Sequence, residues 1–390
     1  GKDGEVDVAK AASAIVGSVG GEPLSFACAA GRAPVVRALC YEPLLGQLLV
    51  GTQAAEVFEF DVSSQEAFKR DAGRRMLTQG HASATIKGGK DAHGMPLPTR
   101  RCGEVWGLAA HPTLPHVFAT ASDDKTLRLW DANARRPLAL LRLPHRGRCV
   151  AFRPSGNGEQ HLAVGTACGA VLVFDLATLS CVTRLAYATR ACACAAYSPD
   201  GRYLAVGAAD STVVIYDASR SRGDTGDAGK RWSLAGVDEG PGGSDACAGY
   251  RPVGRVRAAA GVTHLDWSND GCVLRTNDAD GELCYWAMPA GEAKLSPEAA
   301  CDLEWDSHTC PLAWGTQGVW PKDSSSVSDI NACAATHGGA WWEDEVVLAT
   351  ADDASRVCLY RYPSDVARAQ GRACRVTHIL VFLTPRFRVA

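Results

Sequence analysis

At 390 residues, 46% hydrophobic and 21% charged, the chain can bury a large core and has the balance of a soluble globular protein. Its net charge of −3 supplies no global field for nucleic acid or a membrane surface, and no apolar run approaches the roughly 18 residues that span a bilayer. The N-terminus, GKDGEVDV, is charged at once and lacks the apolar stretch of a secretion signal.

In chain order, GKDGEVDV reads as an Asp turn and a following strand, seeded by Val6 and Val8, from a sheet whose earlier strands are missing. A later strand closes on Phe60. Residues 69–101 lack strand alternation and read as a loop insertion. After it one pattern recurs four times: a small-residue strand, an Asp-bearing or small-residue turn, and a second strand ending in an aromatic. The four are FATASDDKTLRLWD (Phe118 to Asp131), LAVGTACGAVLVFD (Leu162 to Asp175), LAVGAADSTVVIYD (Leu204 to Asp217) and VLRTNDADGELCYW (Val273 to Trp286). WGLAAHP, RCVAFRPSG, CAAYSPDG and VTHLDWSNDG precede them as alternating strands that end in Pro, Gly or Asp turns. Further insertions are predicted at about 219–257 and 321–345. Near the C-terminus, CRVTHILVFL (Cys374 to Leu383) reads as the first strand of a further, incomplete unit.

The aromatic closures at Phe60, Trp130, Phe174, Tyr216, Trp286 and Tyr360 are spaced 70, 44, 42, 70 and 74 residues apart. A period of about 40–45 residues is that of one four-stranded propeller blade, and the longer intervals are each one blade plus an insertion. The fold predicted over 1–390 is therefore all-β, a single WD40-type β-propeller of about seven blades. The cut-looking ends have two readings: they supply complementary strands of one blade, or the chain is one lobe of a larger protein, the second being preferred.

A propeller blade of this kind places a buried hydrogen-bond network at Thr120, Asp124 and Trp130, with His81 of the Gly80-His81 pair as its fourth member. The 16 cysteines are scattered, form no CxxC pair, and read as small buried hydrophobes of a reducing compartment. Cys192 and Cys194 are predicted to share one strand face. No nucleophile elbow, HExxH, phosphate-cradling loop or ligand cluster is present; Gly17 to Gly21 lacks the lysine and helix such a loop needs. The expectation is a non-enzymatic protein without cofactor or metal.

Two stretches are candidates for partner contact. Lys69, Arg70, Arg74, Arg75, Lys87, Lys90, Arg100 and Arg101 stand against Asp71 and Asp91, a local charge of +6 that suits an acidic partner. The second insertion is less biased, with seven basic residues against five acidic. Trp341 and Trp342, followed by Glu343, Asp344 and Glu345, read either as a contact anchor or as packing of an insertion onto the disc.

Several phrases lie outside the blade pattern. EVWGLAAHP (Glu104 to Pro112), PVVRALCYEPLLGQLLVGT (Pro34 to Thr52), YSPDGRYLAVGAADSTVVIY (Tyr197 to Tyr216) and above all DLEWDSHTCPLAWGTQGVWP with SDINA (Asp302 to Pro321, Ser328 to Ala332) resemble the echinoderm-microtubule-associated-protein-like family. RVCLYRYP (Arg356 to Pro363) continues the likeness, which covers about residues 34 to 382 and looks like the second of that family's two joined propellers. The resemblance implies tubulin and other microtubule-associated or axonemal proteins as partners, with no nucleic acid or membrane. It implies the cytoplasm and cytoskeleton, with the axoneme of a cilium or flagellum, as location. The alternative expectation is a generic WD-repeat scaffold in a cytosolic complex.

Overall fold

The structure, a computed structural model, describes residues 35–53, 55–62, 75–78, 81, 84–86, 100–102, 104–154, 160–219, 249–289, 291, 294–300, 302–320, 330–336, 346–353, 356–364 and 379–382. Blade 1 comprises β1 (Val36–Glu42), β2 (Gln47–Thr52), β3 (Val57–Asp61) and β4 (Arg75–Thr78); a ribbon of β5 (Ala84–Ile86) and β6 (Arg100–Cys102) follows. Blade 2 is β7 (Val105–Ala110), β8 (Val117–Ser122), β9 (Thr126–Asp131) and β10 (Arg136–Arg142). Blade 3 is β11 (Gly147–Phe152), β12 (His161–Thr166), β13 (Ala170–Asp175) and β14 (Cys181–Ala186). Blade 4 is β15 (Cys192–Tyr197), β16 (Tyr203–Ala208), β17 (Thr212–Asp217) and β18 (Arg251–Arg257). Blade 5 is β19 (Val262–Trp267), β20 (Val273–Asp278), β21 (Leu283–Ala287) and β22 (Lys294–Leu295). Blade 6 is β23 (Ile330–Ala335), β24 (Val346–Asp352), β25 (Arg356–Tyr362) and β26 (Ile379–Phe382).

The chain is thus an all-β propeller with six blades among the described residues; Val6 and Val8, the seed of a further blade, lie outside them. All six aromatic closures hold equivalent places. Phe60, Trp130, Phe174, Tyr216, Trp286 and Tyr360 each pair with an apolar residue of the second strand, from Leu48 to Leu348. The small residues in LAVG explain themselves in packing. A Cβ on Gly207 would come within 2.7 Å of Val262 Cγ1, and one on Gly165 within 2.7 Å of Cys192 Cβ. Only glycine lets the next blade's inner strand approach that closely.

Apolar clusters fill the spaces between blades 1 and 2, 2 and 3, 3 and 4, and 4 and 5. A fifth, joining Val36, Val50 and Phe58 to Ala332, Ala349 and Leu359, closes blade 6 on blade 1. Each fully buried Leu, Ile or Val in them contributes about 1.5–3 kcal/mol. Blades 5 and 6 meet differently: an irregular run after β22 packs Ala300 and Trp305 on blade 5 and Val319 on blade 6. That run holds two short 3-10 turns, Pro297–Ala300 and Trp314–Val319, and it contains the phrase outside the blade pattern.

Three expectations change. CRVTHILVFL does not open a new blade, because Ile379–Phe382 pairs with Arg356–Leu359 as the outermost strand of blade 6. The insertions read at 69–101, 219–257 and 321–345 each include a blade strand: the outermost strands Arg75–Thr78 and Arg251–Arg257, and the inner strand Ile330–Ala335 of blade 6. Cys192 and Cys194 do not share a face. A β-bulge separates them, so Cys192 enters the cluster between blades 3 and 4 while Cys194 packs against that between blades 4 and 5.

Candidate interaction surface

The inner strands β1, β7, β11, β15, β19 and β23 line a central channel with a cavity of about 600 Å³. Each has a register slip at its second residue. A bulge frees the extra residue from the ladder and re-aims it. Arg37, Trp106, Arg148, Ala193, Thr263 and Asn331 therefore form a ring at the end of the channel where the inner strands begin, here the mouth face.

Ion pairs staple this ring. Arg37 lies 3.5 Å from Glu104 of blade 2 and 3.2 Å from Asp353 of blade 6, and Arg148 lies 3.1 Å from Asp123. The Trp106 ring sits between the two guanidinium groups, 5.0 Å from Arg37 and 4.5 Å from Arg148. Asn331 donates to the Val36 carbonyl at 3.0 Å and to Asp353 at 2.8 Å. Around this closed ring the exposed Lys125, Arg146, Arg190 and Arg257 belong to blades 2 to 4 or the connections between them, whereas Asp280, Glu282 and Asp353 belong to blades 5 and 6, where Glu282 lies 4.0 Å from the exposed Lys294. One arc of the mouth is basic, the other acidic.

Beside the basic arc the structure brings His81, Thr120, Asp124 and Trp130 together. Trp130 Nε1 donates to Thr120 Oγ1 at 2.8 Å, Thr120 Oγ1 stands 2.6 Å from His81 Nε2, and His81 Nδ1 stands 3.0 Å from Asp124 Oδ2. One neutral tautomer satisfies the whole chain: the indole donates to Thr120, Thr120 to Nε2, and Nδ1–H to the carboxylate. Thr126 Oγ1 and Arg128 Nη2 also donate to Asp124, at 2.7 and 3.2 Å. Burial holds the His81 imidazole below its ordinary pKa despite Asp124. Burial alone would raise the Asp124 carboxyl, but the bonds from His81 and Thr126 outweigh it and leave it lowered. Every member is committed to a partner, so the network rigidifies the link between the blade 1 connection and blade 2.

A second buried network, which sequence reasoning missed, holds the irregular run. Asp266 and Arg275 are buried in blade 5, with Arg275 Nε donating to Asp266 Oδ2 at 3.0 Å. Asp266 also accepts from Ser307 Oγ at 2.7 Å and from the backbone N–H groups of Thr309 and Cys310 at 2.8 and 3.0 Å. Burial opposes ionisation, yet Arg275 and these donors draw the carboxyl down to about 2. Arg275 stacks 4.2 Å over Trp305, and Asn277 exchanges bonds of 2.8 and 2.9 Å with Leu312. The hint in sequence is charge within largely apolar strands: Asp266 in VTHLDW, and Arg275 with Asp278 in VLRTND.

Third strands end and fourth strands begin on the far face, while fourth strands end and inner strands begin at the mouth. Lys69, Arg70 and Arg74 belong to the connection from β3 to β4, and Lys87 and Lys90 to that from β4 to β7; all five, with Trp341 and Trp342, lie outside the described residues. Arg75 is on β4, and Arg100 and Arg101 are on β6. Cys102 precedes Val105 by three residues, so β6 ends within about 11 Å of the mouth, on its basic side.

Among the described residues no group of His, Cys, Asp or Glu could hold a metal ion, no helix is long and apolar enough to cross a membrane, and the cysteines are free thiols. Cys181 and Cys272 are exposed rather than buried.

Residues 105–379 match the family model described as the echinoderm microtubule-associated protein second beta-propeller. The chain is 31% identical over 328 residues to echinoderm microtubule-associated protein-like 3 of Homo sapiens, covering 84% of this chain and 33% of the relative. It is 32% identical over 289 residues to the like-1 protein of Rattus norvegicus, covering 73% and 31%, and 32% identical over 281 residues to the human like-2 protein, covering 71% and 38%. The chain thus spans about a third of the length of these relatives.

Proposed function

This chain belongs to the echinoderm microtubule-associated protein-like family, and from that premise we propose that it acts without catalysis as a microtubule-bound scaffold whose partner is tubulin. Family membership is the observation that carries the reading, since the relatives are named as microtubule-associated proteins. The basic arc of the mouth, Lys125, Arg146, Arg190 and Arg257 with the neighbouring Arg100 and Arg101, supports it. An acidic protein surface is attracted to such an arc, and the attraction fades over a Debye length of about 8 Å at physiological salt. Stable microtubules of the cytoskeleton, above all those of an axoneme, are the proposed location.

Co-sedimentation with polymerised tubulin tests the proposal. The chain should pellet with microtubules at low salt and be released as salt rises. Absence from the pellet at low salt, by a chain with an intact melting transition, would overturn it.

A further inference from the structure

Among the described residues the outermost strand of each blade leaves one edge without a partner, and proteins protect such edges with charge, proline or bulges, of which β10 has Pro137 and a bulge at Leu138. Blades 3 and 4 use charge. Arg184, opposite Leu172, and Arg255, opposite Val214, are exposed at the same place on β14 and β18. On β10 that place is Leu140, opposite Arg128, and it is 49% exposed. Two residues before it Leu138 is 46% exposed, where the corresponding Val182 and Val253 are partly covered. Ala139 and Leu141, between and after them, pack inward against the cluster of blades 2 and 3. Leu138 is the extra residue of the bulge between Pro137 and Ala139, and both it and Leu140 are exposed on β10, with the exposed Arg136 and Arg142 at the two ends. Among the described residues only β9 pairs with β10.

We propose that the free edge of β10 is a docking site for an extended peptide segment of another protein, added as a fifth strand. Two apolar side chains of the segment cover Leu138 and Leu140, and carboxylates on either side of them meet Arg136 and Arg142. The charges choose this occupant over a second copy of the chain. Antiparallel self-pairing centred on Ala139 would set Arg136 against Arg142 of the second copy at both ends, and like charges directly opposite are destabilising. The site is on the rim, so it does not depend on the microtubule reading: a disc held through its mouth face keeps this edge available.

The probe is a fluorescein-labelled peptide of sequence Glu-Thr-Val-Thr-Val-Thr-Glu, followed by anisotropy. It should bind the wild-type chain, and a Lys-ended version should bind at least tenfold more weakly. Leu138→Lys with Leu140→Arg, which gives blade 2 the edge chemistry of blades 3 and 4, should abolish binding without lowering the melting temperature. Arg136→Glu with Arg142→Glu should reverse the preference toward the Lys-ended peptide. No binding to wild type, equal binding to the edge variant, or a preference that fails to reverse would each overturn the proposal. So would a wild-type dimer that the edge variant converts to monomer, since that would assign the edge to self-association.

Discussion

His81 and Asp266 show two ways in which a buried charge-bearing side chain is made to serve this fold. His81 is held neutral between Thr120 and Asp124, with its pKa lowered by burial. The unfolded chain, whose histidines titrate near about 6.5, takes up the proton first as the solution is acidified. The contribution of His81 is therefore complete above that value and is lost as pH falls below it. The melting temperature should fall between pH 7 and 5, and His81→Gln should flatten that part of the profile; an unchanged slope would contradict the assigned tautomer. Asp266, ionised and tied to Arg275, is the more demanding case. Asp266→Ala should cost about 3–5 kcal/mol in urea unfolding, because it strands a buried guanidinium, and adding Arg275→Met should recover part of the loss. The first network was legible because Thr120, Asp124 and Trp130 recur at fixed offsets within one blade. The second was not, since Asp266 and its donors Ser307 and Thr309 lie some forty residues apart and no local pattern links them.

The strands were legible where both of their faces are buried. The second and third strands of blades 3 and 4 carry nearly continuous small and apolar runs closing on an aromatic, and these aromatics fall in the same register as Trp130 of blade 2. Outermost strands were not, because Arg75–Thr78 and Arg251–Arg257 are Arg-bearing and set in Arg- and Gly-rich surroundings that read as loop. Bulges were also invisible, and one residue of slip is enough to separate Cys192 from Cys194. Close approach of neighbouring blades is a demand on single positions. Gly207→Ala should cost about 1–3 kcal/mol by crowding Val262 and Cys194, and Val262→Ala should relieve part of it. A Gly207→Ala protein as stable as wild type in urea would show that the inner strands can move apart freely.

For the whole molecule, ring closure is the decisive event. Five apolar clusters join blades directly, and the run from Asp302 to Trp320 fills the remaining junction, which is why the most family-specific phrase lies outside every blade. Of the +6 stretch, read in sequence as one patch, Arg75 is on β4 and Arg100 and Arg101 are on β6, two strands separated along the chain. Strand direction makes the central claim testable by face. In a salt series of microtubule co-sedimentation, Arg100→Glu, Arg101→Glu and Arg146→Glu combined should weaken binding several-fold at low salt and make it less salt-dependent. Arg135→Glu and Arg202→Glu combined, in far-face turns, should leave binding nearly unchanged. Loss of binding in the far-face variant alone, or equal loss in both, would contradict attachment through the basic arc of the mouth.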